Sequence, residues 1–108
     1  MRHLVHAGHY TVPEGDEPNH FTEHLRSETL SVGTYCIPAG GADDQEPHRE
    51  DEIYVVTAGR ARLQTDEGVI DVATGDVLFV GKGELHRFVD IAEDLALLVL
   101  FAPPYTGR

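Results

Sequence analysis

The sequence predicts an all-β fold, a small antiparallel sandwich or barrel. Short apolar runs, many of them β-branched, recur about every 8–12 residues with Gly, Pro and Asp between them. No segment sustains a helical period. A chain of 108 residues is expected to build one hydrophobic core, so a single domain over residues 1–108 is the simplest organisation.

The elements follow in chain order. Residues 1–27 hold five of the seven histidines and the acidic stretch Glu14-Gly15-Asp16-Glu17. They read as an N-terminal edge strand at about Leu4–Val12 followed by a loop. A short helical turn over His20–Leu25 is compatible with the pattern. The core of the barrel is expected over about residues 30–102. Leu30–Ile37 is a strand that ends at the breaker Pro38-Ala39-Gly40-Gly41. Ile53–Thr57 is a second, stopped by Ala58-Gly59. Arg60–Thr65 alternates polar and apolar residues, as a strand with one buried face does. Asp66-Glu67-Gly68 is a hairpin turn into Val69–Val72, and Gly75-Asp76 turns the chain into Val77–Val80. Leu85–Val89 and Leu95–Phe101 complete the set, with Pro103-Pro104 beyond.

Composition narrows the function. Nineteen acidic residues against eight basic ones leave a formal net charge of −11. Nucleic acid and anionic membrane surfaces repel such a chain, so neither is expected as a partner. One cysteine excludes an intrachain disulfide and a multi-Cys zinc site, and fits a reducing compartment such as the cytoplasm. The N-terminal residues lack the apolar stretch of a signal peptide. An edge strand left unpaired invites a second copy, so a homodimer is expected.

Chemistry concentrates in two segments, Gly41–Gly59 and Gly75–Asp90. In an extended chain Glu46, His48, Glu52 and Tyr54 share parity and face one way. His86 lies on a later strand after the Gly81-Lys82-Gly83 turn, and neighbouring strands would bring it close. Imidazole and carboxylate donors without thiolate suit one divalent transition metal: Fe, Mn, Ni, Co, Cu or Zn.

These segments resemble the two motifs of the cupin superfamily, a jelly-roll β-barrel. In the first, Gly40, His48, Glu52 and Gly59 keep the family spacing, with Glu46 standing where the family's first histidine would be. In the second, Gly75, Gly83 and His86 match, while Gly81 replaces a proline and Asp90 an asparagine. The resemblance implies a metal shell of Glu46, His48, Glu52 and His86. Without Glu46 the remaining three form a two-His-one-carboxylate set with open positions. Buried His and Glu can also pair without a metal, although burying two carboxylates with no cation is costly.

The resemblance further implies an enzyme acting on a small organic molecule inside the barrel, by oxygenase, isomerase or lyase, or cyclase-type chemistry. Glu52 or Glu46 would serve as a base, and Tyr54 would offer its phenol to the substrate, or else pack as a core aromatic. The alternative is a non-catalytic barrel that binds a small molecule or a metal. The remaining singular residues read as structural. His3, His6 and His9 alternate faces on a strand and cannot converge, Cys36 lacks an adjacent base, and Arg60 and Arg62 face surface acids.

Overall fold

In the computed structural model, which describes residues 1–107, the chain forms eight strands. They are β1 (His20–Arg26), β2 (Ser31–Ile37), β3 (Asp51–Ala58), β4 (Arg60–Thr65), β5 (Gly68–Ala73), β6 (Val77–Val80), β7 (His86–Val89) and β8 (Leu95–Ala102). Two antiparallel sheets face each other as a jelly roll. One has the order β1-β2-β8-β3-β6 and the other β5-β4-β7. Among the described residues no helix is long and apolar enough to cross a membrane.

Alternation decides which side chains enter. Along β3, Glu52, Tyr54 and Val56 are buried while Asp51 and Ile53 are exposed. Along β4, Ala61 and Leu63 are buried between exposed Arg60, Arg62 and Gln64. The core between the sheets is built from Ile37, Tyr54, Val56, Leu63, Phe88 and Leu97. Burying each large member stabilises the fold by about 1.5–3 kcal/mol. Arg60 and Arg62 pair at 3.0 Å with Glu93 and Asp71 on the surface, as their strand parity predicts.

Gly59 makes possible the one-residue turn by which the chain passes from β3 in one sheet to β4 in the other. Its φ is +89°, and a Cβ there would lie 2.3 Å from the Asp94 carbonyl oxygen. Only glycine combines that conformation with that approach.

Two sequence expectations are corrected. Leu4–Val12 is not an edge strand: it contains a turn, with His6 at φ +69° and Gly8 at φ +84°. Its backbone bonds to side chains of β2 instead of joining a ladder, Gly8 N–H to Thr34 Oγ1 at 2.7 Å and Thr11 N–H to Cys36 Sγ at 3.3 Å. The segment therefore lies across the outside of its own sheet. His20–Leu25 is not a helical turn but most of β1, because it pairs with β2 from His20↔Cys36 to Arg26↔Ser31. Ladder bonds along a ready edge outweigh a local preference.

Candidate metal centre

Three ligand-bearing side chains arrive from three places. His48 sits in the irregular segment before β3, where the Gly83 N–H donates to its carbonyl at 2.7 Å. Gly83 has φ +75°, so the second motif's glycine turns the chain and ties the two motifs together. Glu52 comes from the inner face of β3, opposite Phe101 on β8 and Val80 on β6. His86 opens β7 and pairs with Thr65 on β4, in the other sheet. The site thus bridges the two sheets.

The geometry is convergent. His86 Nε2 lies 3.2 Å and His48 Nε2 3.8 Å from Glu52 Oε1, and all three residues are buried. Their donor atoms lie within 4.8 Å of one another. Glu52 Oε1 is buried and makes no hydrogen bond. A buried carboxylate oxygen flanked by two imidazole nitrogens is costly unless a cation satisfies it, either an imidazolium or a metal ion held by all three groups. The residues present therefore fit a divalent transition metal.

His86 is oriented for this task. Its Nδ1 lies 2.9 Å from the Glu84 carbonyl, which only accepts, so Nδ1 carries the proton and Nε2 faces the centre. Burial alone would lower the His86 pKa, but the Glu52 carboxylate and the Glu84 carbonyl outweigh it and raise the value. The Tyr54 hydroxyl lies 3.1 Å from His86 Nε2, and its ring packs edge-on against Phe88. Burial, with the Glu52 carboxylate, holds the Tyr54 phenol far above its usual pKa, so it stays protonated.

Glu46 is placed differently from its motif partners. It is exposed and lies outside the convergent group, at the rim of the cavity. Tyr54 is fully buried, with its hydroxyl on Gln45 and His86. The neighbouring carboxylate Glu50 is buried too; its Oε2 accepts from the Thr106 backbone N–H and hydroxyl, while its Oε1, like Glu52 Oε1, makes no hydrogen bond.

Above His48 and Glu52 opens a cavity of about 280 Å³. Phe21, Tyr35, Phe101 and Tyr105 supply aromatic walls, and Asp44 and Glu46 an acidic rim. Tyr105 stacks on Phe101 at 4.5 Å and meets the His48 ring at 5.3 Å. Sequence reasoning missed Tyr105, which lies past the last strand and carries no motif. It also missed Asp43 and Gln45. Asp43 accepts hydrogen bonds from the Tyr35 hydroxyl, the Phe88 N–H and both N–H groups of Gln45. Nothing in an acidic loop sequence marks which acid is buried.

The chain belongs to the cupin family: residues 33–102 match the Cupin domain. An uncharacterized protein of Streptomyces coelicolor is 43% identical over 84 residues, covering 78% of this chain and 80% of that protein. The polyketide cyclase RemF from Streptomyces resistomycificus superposes with a TM-score of 0.75 at 19% identity, covering 99% of this chain and 83% of RemF. KdgF from Halomonas sp. superposes with a TM-score of 0.73 at 18% identity, over 83% of this chain and 85% of KdgF. These structural likenesses establish the fold.

Proposed function

We propose that this cupin is a metal-dependent enzyme acting on a small, neutral, oxygen-bearing organic molecule. The observation that carries the reading is Glu52 Oε1, buried and unbonded between His48 and His86 at the base of an open cavity. His48, Glu52 and His86 would hold one Fe, Mn, Ni, Co, Cu or Zn ion. Such an ion, when bound, supplies Lewis acidity toward a substrate oxygen, or a site for O2.

The chain's own residues do the rest. Glu84 fixes the His86 ring, and Tyr54 holds the deep side of the site with a phenol that keeps its proton. The aromatic walls favour a planar substrate, and Asp44 and Glu46 at the rim disfavour an anionic one. A cavity of about 280 Å³ has room for one small molecule. The likeness to a polyketide cyclase is consistent with ring-forming or isomerising chemistry on such compounds. The net charge of −11 argues for a small-molecule partner over nucleic acid or an anionic membrane. A single buried thiol suits the cytoplasm.

The test is metal content of the purified protein, followed by thermal melting with each metal and turnover of phenolic and β-diketone compounds. Near-stoichiometric metal and a higher melting temperature are expected. A ligand present at about 100 times its Kd stabilises by about 2.7 kcal/mol. His86→Ala should abolish both effects. A protein that takes up no transition metal, or a His86→Ala variant that binds it as tightly as the parent, refutes the reading.

A further inference from the structure

The fourth corner of the site is filled by a side chain that no motif assigns. Gln45 Oε1 lies 2.8 Å from His48 Nε2 and 3.1 Å from the Tyr54 hydroxyl. Donor atoms each about 2.1 Å from one ion, at right angles to one another, sit roughly 3 Å apart. The separations Gln45–His48 (2.8 Å) and Glu52–His86 (3.2 Å) are therefore those of neighbours around one centre.

The amide cannot turn around. Gln45 Nε2 donates to Asp43 Oδ2 at 2.7 Å, and the Gln45 backbone N–H donates to Asp43 Oδ1 at 3.1 Å. Asp43 is buried and is also engaged by Tyr35 and the Phe88 N–H, so it stays an acceptor. With the NH2 group committed to a carboxylate, the amide oxygen must point at His48. Glu46, the next residue, is exposed and stands outside.

We infer that Gln45, through its amide oxygen and in place of Glu46, is the fourth protein ligand of the metal centre, with Asp43 as its positioning residue. The inference rests on the metal-site reading above. It gives the shell two imidazoles, one carboxylate and one neutral amide, one negative charge fewer than a shell containing Glu46. In the metal-free protein the same oxygen accepts a hydrogen bond from the His48 ring, and metal uptake replaces that proton with the ion.

The experiment uses Co(II) as the probe, read by its visible absorption bands and by competition against a chromophoric chelator. Gln45→Ala and the volume-preserving Gln45→Met should each weaken Co(II) binding at least tenfold and change the band positions. Glu46→Gln should leave affinity and spectrum as in the parent. Melting of the metal-free variants separates a lost ligand from a lost fold, and Gln45→Met serves if Gln45→Ala unfolds. Parent protein that binds Co(II), with folded Gln45 variants that match it within twofold in affinity and in spectrum, overturns the inference alone. Loss of binding in Glu46→Gln assigns the corner to Glu46 and also overturns it. Parent protein that binds no Co(II) overturns the site itself.

Discussion

Tyr35 and Asp43 show how one buried contact sets a pH limit on the fold. The Tyr35 hydroxyl donates to Asp43 Oδ1 at 2.8 Å. Burial, and then the adjacent carboxylate, push the Tyr35 pKa far above its usual value of 10. Tyr54 is shifted the same way. A phenol that keeps its proton in the folded state and loses it in the unfolded state contributes stability that is complete below pH 10. That stability falls as pH rises further, by about 1.4 kcal/mol per pH unit for each such group. Tyr10 and Cys36 are shifted in the same direction, so the share of Tyr35 is read from the difference between the parent and Tyr35→Phe. Urea unfolding should therefore weaken steeply between pH 10 and 11. Tyr35→Phe should remove about 1.4 kcal/mol per unit from that slope. Equal slopes in the two proteins would show that Tyr35 does not keep its proton. The sequence disclosed His48, Glu52 and His86 because ligand spacing survives in a motif. It was silent on Asp43 and Gln45, whose roles depend on a loop conformation.

At the level of elements, β2 is buried along its whole length, and the reason is not the barrel alone. Its inner side chains, Tyr35 and Ile37, join the core, while Thr34 and Cys36 face outward. The N-terminal segment covers these two through Gly8 and Thr11, and the Thr57 hydroxyl donates to the Gly8 carbonyl. Gly8 is the weak point of the cover. A Cβ there would lie 2.9 Å from Thr57 Cγ2, on a backbone with φ +84°. Burial also raises the Cys36 thiol pKa, so the covered thiol is inert. Gly8→Ala should lift the segment and speed Cys36 labelling by a disulfide reagent at least tenfold at pH 8, with little change in the global unfolding midpoint. An unchanged labelling rate would mean that the segment tolerates the methyl group. Seven of the eight strands were legible from apolar runs and turn residues. β1 was ambiguous because His20 and His24 share a face in a helix and in a strand alike. The N-terminal segment was misread because three-residue spacing says nothing about where its backbone finds partners.

Across the whole molecule, the outer face of the larger sheet stays apolar at its β6 edge. Val77 and Phe79 are 65% and 67% exposed, and Phe79 pairs with Ile53, itself 38% exposed. An open edge strand with an apolar face predicts association with a second copy there, and not through Leu4–Val12, which is spent on its own sheet. Sedimentation equilibrium should find a dimer that Phe79→Glu converts to monomer with metal binding intact. A monomeric parent, or a Phe79→Glu dimer, would rule this surface out. The sequence by itself determined the all-β class, the succession of strands from β2 to β8 and the spaced His48, Glu52 and His86. The strands follow from period-two patterning and turn chemistry, and the three ligand positions from the spacing of the two motifs, all of which are local in the chain. Only the tertiary structure decided that Glu52 and His86 meet across two sheets, that Gln45 and not Glu46 turns inward, and that the N-terminal segment caps β2. Each depends on which distant groups satisfy a buried donor or acceptor, a balance settled only when the sheets close on each other.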